Sequence, residues 1–124
     1  MSKVQGIESR DYLRSLIAKG DGSVILVPIE KDRYGRTVAE LFVRPRPGTG
    51  YPPEQELYLN GEMVAAGLAY HYERYSGNCE NWGALAKPLR RSIAAAEEVA
   101  QSNRAGVWSD PNAVKPWDWR RANY

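Results

Sequence analysis

The residues best equipped for chemistry are Asp32-Arg33-Tyr34-Gly35-Arg36, which run directly into Thr37-Val38-Ala39-Glu40-Leu41-Phe42-Val43. An acid, a cation, an aromatic, a glycine and a second arginine precede an alternating strand, so Arg36 falls where a turn hands the chain to a sheet. A guanidinium in that place is set to grip a phosphate. Its planar fork of donors matches phosphate oxygens two at a time, and a strand base holds it more firmly than a loop. Arg33 and Tyr34 would add a second cation and an aromatic face. Taken by itself the pentapeptide is better described as a surface turn with one arginine in a salt bridge, so the functional reading depends on the rest of the chain.

Other side chains offer less. The run Tyr70-His71-Tyr72-Glu73-Arg74-Tyr75 presents aromatic faces for base stacking, although a tyrosine in a small domain ordinarily packs with its hydroxyl at the surface. His71 is the single histidine and reads as structural. Asp21, between Gly20 and Gly22, reads as turn chemistry, and Asp11 as an exposed helical residue. The single cysteine, Cys79, rules out an internal disulfide, suits a reducing compartment such as cytoplasm or an organelle stroma, and forms no metal set with one distant histidine.

Composition sets outer bounds. A chain of 124 residues, 43% apolar and 26% charged, fits one small domain with a modest core. A net charge of +2 is compatible with a polyanionic partner but does not demand one. No apolar run reaches the ~18 residues of a membrane helix, and Met1 to Gly6 carries no signal-peptide core, so neither membrane insertion nor export is expected.

The elements that would position these residues follow from periodicity. Ile7, Tyr12, Leu13, Leu16 and Ile17 share a helical face that Lys19-Gly20 ends, so residues 1–20 form a helix. Residues 21–61 form a strand region: a first strand over Val24 to Ile29, with Pro28 at an edge or bulge, and a second over Thr37 to Val43, with Ala39, Leu41 and Val43 facing the core. Residues 44–56, dense in proline and glycine, form a solvated extended loop in which Arg44 and Arg46 are free to meet a partner. Strand pairing resumes at Leu57-Tyr58-Leu59 and turns at Asn60-Gly61. Residues 62–106 hold two helices, Glu62 to Leu68 with Met63, Val64 and Leu68 inward, and one opened by Pro88 and capped by Gly106. On the latter, Arg90 and Arg91 face water. Residues 107–124 are a tail whose Trp108, Trp117 and Trp119 cover the core.

With these residues in place a resemblance appears. Asp32 to Glu40 resembles the central motif of the staphylococcal-nuclease-like (thermonuclease) family. In family order follow Asn60-Gly61-Glu62-Met63-Val64, Ala66 to Tyr72, Ala96 to Gly106, Gly106-Val107-Trp108 and Pro116-Trp117-Asp118-Trp119-Arg120. The likeness runs from about Gly6 to Arg120. It implies an α+β fold, an incomplete OB-type barrel built from an N-terminal helix, two to three strands, two C-terminal helices and a tryptophan-rich tail.

The family's chemistry is hydrolysis of nucleic-acid phosphodiesters, in which calcium and two arginines neutralise charge on phosphorus while a glutamate orients water. Arg36 matches one of the arginines. The resemblance extends the role of the family's pocket-lining tyrosines to Tyr72 and Tyr75, with the spacing around Glu73 not identical, and Arg33 and Tyr34 stand as further substrate-binding candidates beside Arg36. The family's first three strands, which carry the calcium-binding aspartates, the other arginine and the glutamate, find no counterpart in the residues at hand. The expectation is therefore a non-catalytic binding or structural subunit, completed by a protein partner or a second copy, with no cofactor of its own and calcium expected only in a complete member. Each preorganised donor lost removes about 3 to 4 kcal/mol of transition-state stabilisation. One alternative is a calcium-dependent nuclease of which this chain is a fragment or half. Another is a nucleic-acid binder that does not cleave, with steeply salt-dependent affinity.

Overall fold

The computed structural model describes residues 3–71 and 86–123. Its order is α1 (Lys3–Ala18), β1 (Ile25–Lys31), β2 (Thr37–Val43), β3 (Leu57–Tyr58), α2 (Leu59–Ala65), α3 (Ala86–Ser102), a 3-10 turn (Gly106–Ser109) and α4 (Pro116–Asn123). The fold is α+β, four helices with one three-stranded antiparallel sheet in the order β1-β2-β3, consistent with part of an OB-type barrel.

β1 and β2 pair from Ile25 opposite Phe42 to Lys31 opposite Thr37, with a register shift between Pro28 and Glu30. β1 is an end strand, and its proline sits at the bulge, as a residue without an amide proton must. The core gathers Leu16 of α1, Val43 of β2, Leu57 of β3 and Leu59 of α2, with Tyr12, Leu13, Ile17, Leu41 and Met63 against it.

The expected alternation in β2 is only half right. Val43 is buried, but so are Glu40 and Phe42 on the opposite face, because the Tyr58 ring stacks on Phe42 at 5.1 Å and the Tyr58 hydroxyl donates to Glu40 Oε2. Burial, then the hydrogen bond to Glu40 and the charge of that carboxylate, push the Tyr58 phenol far above its ordinary range.

Asn60-Gly61 does not make the expected turn. β3 is two residues long, and both lie in the first turns of α2. There Asn60 Oδ1 accepts the Leu41 N–H at 2.8 Å and Nδ2 donates to the Ala39 carbonyl at 3.3 Å, so one side-chain amide continues the ladder that β3 leaves off. Gly61 is small because a Cβ there would lie 2.9 Å from the Tyr58 ring.

The helix ends also differ. α2 stops in a Schellman arrangement: Leu68 N–H bonds the Met63 carbonyl, Gly67 N–H bonds the Val64 carbonyl, and Gly67 has φ +72°. α3 ends in the same way around Arg104, which occupies φ 50° where glycine was expected. Gly106 serves a different purpose, since its backbone and that of Gly67 touch. A Cβ on either would lie 2.1 Å from a carbonyl oxygen opposite, and Val107 N–H bonds the Gly67 carbonyl at 2.8 Å.

The loop after β2 is tied down rather than merely solvated. Arg46 donates from Nε to the Gly20 carbonyl at 3.0 Å and from Nη2 to the Ala18 carbonyl at 2.8 Å, capping the negative end of α1. Arg44 lies 3.9 Å from Glu56 at the surface, a contact of little energetic weight. In the tail, Tyr70 meets Trp108 and Trp117 edge to face at 5.4 and 6.0 Å, whereas Trp119 is half exposed. No described helix is long and apolar enough to cross a membrane.

Candidate phosphate-binding hairpin tip

The β1–β2 connection is built by Asp32. Its backbone N–H bonds the Arg36 carbonyl at 2.9 Å and its carbonyl accepts the Gly35 N–H at 3.0 Å. Gly35 takes φ +81°, so the tip is a type I turn closed by a glycine bulge. The side chain then does three things. Oδ1 accepts the N–H of Tyr34 and the N–H of Arg36, each at 2.9 Å, and Oδ2 accepts Arg36 Nε at 2.6 Å. Partial desolvation pushes the Asp32 carboxyl up, but the hydrogen bonds from Arg36 and Tyr34 and the guanidinium charge outweigh it, holding the group below the usual carboxylate range.

Arg36 is thus anchored at one end and open at the other. Its side chain is 72% exposed against 15% for Asp32, and Nη1 and Nη2 make no hydrogen bond among the described residues. Beside it, Tyr34 is 66% exposed. The Arg33 and Arg36 guanidiniums lie 4.8 and 5.0 Å from the Tyr34 ring centre, and Arg33 Nη2 donates to the Tyr34 hydroxyl at 2.6 Å. Two delocalised cations and a phenol therefore share one tip, the chemistry that meets a phosphodiester backbone.

The structure brings together Arg33, Tyr34 and Arg36. Tyr72 and Tyr75, like Cys79, lie outside the described residues. Asp21 accepts the Ser23 N–H at 3.1 Å within its own turn, and Asp11 pairs with Arg10 at 3.0 Å on the surface. Among the described residues no three His, Cys, Asp or Glu side chains are grouped so as to hold a metal ion.

Two residues escaped the sequence reading. Asp32 stood inside the motif, but its double duty to turn and guanidinium has no signature beyond the four-residue spacing to Arg36. Asn60 looked like a turn former because Asn-Gly is the commonest hairpin signal.

A cleft of about 220 Å³ opens beside the sheet, lined chiefly by Leu13, Leu41, Leu59, Met63, Val64 and Ile93. Leu41 pairs with Leu26 of the end strand, which is 54% exposed. The apolar lining thus continues onto the surface.

Comparison with known proteins agrees with the motif. The profile for "Staphylococcal nuclease homologue" matches residues 3–110. The chain is 38% identical over 96 residues to a micrococcal nuclease of Shigella flexneri, covering 76% of this chain and 47% of that protein. It is 36% identical over 92 residues to protein ParB of Escherichia coli, covering 74% and 45%, and 29% identical over 116 residues to the staphylococcal-like nuclease CAN1 of Arabidopsis thaliana, covering 94% and 28%. The chain thus spans about half the length, or less, of these relatives. No solved structure matches it. The match over most of its length places the chain in the staphylococcal nuclease homologue family.

Proposed function

We propose that this chain contributes the phosphate-gripping side of a nuclease-like domain and acts as a binding or structural subunit, with Arg36 as the phosphate ligand and Arg33 and Tyr34 beside it. A protein partner or a second copy supplies the strands that complete the barrel. The observation that carries this reading is the pairing of an anchored, outward-facing guanidinium with an apolar cleft that runs out to exposed Leu26 on an end strand. The first calls for a polyanion, and the second for further packing.

A second reading is favoured by the nuclease names of the relatives: the chain is part of a calcium-dependent nuclease that cleaves nucleic-acid phosphodiesters. Light scattering on the purified chain, with a fluorogenic nuclease assay in calcium and in chelator, separates the two. The subunit reading expects an oligomer or a poorly folded monomer without cleavage. Calcium-dependent cleavage by a monomer, abolished by Arg36→Ala, would replace it with the nuclease reading. Affinity for nucleic acid that falls with salt, unaccompanied by cleavage, places the subunit on a polyanion.

A further inference from the structure

We infer that Asp32 is the positioning residue of the phosphate site, one carboxylate that both folds the hairpin tip and aims the Arg36 guanidinium so that its Nη edge is left for the ligand. The inference deepens the function proposed above and rests on it. Its basis is the division of labour between two oxygens. Oδ1 holds the backbone, through the N–H groups of Tyr34 and Arg36, and Oδ2 holds the side chain, through Arg36 Nε. The same carboxylate therefore fixes where the strand begins and where its arginine points.

An arginine on an exposed hairpin ordinarily samples many rotamers, and ordering it on binding costs affinity. Pinning Nε removes much of that freedom in advance. It also decides which donors remain, since the Nε edge is occupied and the Nη pair is not. Asp32 is mostly shielded at its side chain while Arg36 is mostly exposed, so the acid stays behind the cation rather than competing at its open edge. A bare electrostatic view says the opposite: an acid beside a phosphate site repels the ligand, and removing it should tighten binding.

Asp32→Asn separates the two accounts, because the amide keeps an oxygen for the two backbone N–H groups but turns an NH2 towards Arg36 Nε, where no bond can form. The probe is a fluorescein-labelled single-stranded oligothymidylate, titrated by anisotropy at low salt. Its partner readout is proton exchange at Arg36 Nε–H followed by NMR, which needs neither ligand nor activity. The backbone amide signals of Tyr34 and Arg36 report whether the turn survives.

The expected result is faster Nε–H exchange and roughly two- to fivefold weaker binding, the size of one exposed charge-assisted contact, with the turn amides unmoved despite the added positive charge. Unchanged or tighter binding overturns the inference, as does wild-type Nε–H exchanging as fast as in free arginine. If the turn amides move as well, Asp32→Ser, which keeps a short acceptor for the backbone N–H groups but cannot reach Nε, replaces Asn under the same criteria. Arg36→Ala is the control for the underlying function: if it leaves oligonucleotide binding intact, the phosphate reading falls, and the Nε–H exchange alone decides whether Asp32 holds the guanidinium.

Discussion

Removing the Asn60 side chain should destabilise the chain out of proportion to its size. Asn60→Ala leaves two backbone groups of β2 without partners, the Leu41 N–H at 2.8 Å and the Ala39 carbonyl at 3.3 Å. A buried group stripped of its partner costs about 1 to 3 kcal/mol. Both contacts are part-buried, so each loss belongs near about 1.5 kcal/mol, and together they come to about 3 kcal/mol. Against the ~5 to 15 kcal/mol that holds a typical domain folded, this is a large fraction. Urea unfolding followed by tryptophan fluorescence measures it, with the midpoint falling and the slope unchanged. Asn60→Asp adds direction: it keeps the acceptor for Leu41 but sets a carboxylate oxygen against the Ala39 carbonyl, so part of its loss should return as pH falls and the acid protonates. A change below about 0.5 kcal/mol in Asn60→Ala would be no more than an ordinary surface substitution produces, and would refute the view that this side chain completes the ladder.

Three further outcomes are expected. Gly67→Ala places a Cβ 2.1 Å from the Ala105 carbonyl oxygen at φ +72°, whereas Gly22→Ala meets open space at φ +99°; thermal melts should show the first losing more than about 2 kcal/mol and the second about 1, and equal losses would count against the close contact. Tyr70→Phe removes a buried hydroxyl that has no hydrogen-bond partner among the described residues, so stability should rise by about 1 kcal/mol, and a loss in urea titration would mean that the hydroxyl is satisfied. The raised Tyr58 phenol keeps its proton in the folded chain when unfolded tyrosines lose theirs near pH 10. Stability is therefore full below that pH and declines above it by about 1.4 kcal/mol per unit for this group. Tyr12, Tyr51 and Tyr70 are raised by burial as well and add in the same direction. Tyr58→Phe should make the decline between pH 10 and 11.5 shallower by that amount, and an unchanged slope would show that burial and Glu40 do not hold the phenol's proton.

What the sequence disclosed, and what it hid, follows from the range of the forces involved. Arg36 at a turn-to-strand junction, the bulge at Pro28 and the helices α1, α2 and α3 were legible because each depends on neighbours in the chain: spacing, a missing amide proton, an apolar stripe; α4, in the stretch read as a tail, was not. Asn60 was misread because the local preference of Asn-Gly for a turn lost to a contact with a strand nineteen residues earlier. Glu40 was assigned to the outer face for the same reason, since alternation cannot announce a phenol arriving from β3. The cap of α3 was placed two residues late, because the glycine that looked like a stop signal is needed where two backbones meet, and Arg104 bears the left-handed turn in its stead.

The touch between Gly67 and Gly106 has a consequence for how this chain can change. It closes the base of a long lasso that contains Tyr70, His71 and all of α3, and the knot is only two bare backbones wide. Lengthening a loop costs little, since closure entropy grows only with the logarithm of its length. Changing the knot means moving main chain on both sides. A single methyl group at this neck should therefore disturb the fold far beyond its size, because two main chains must part to admit it.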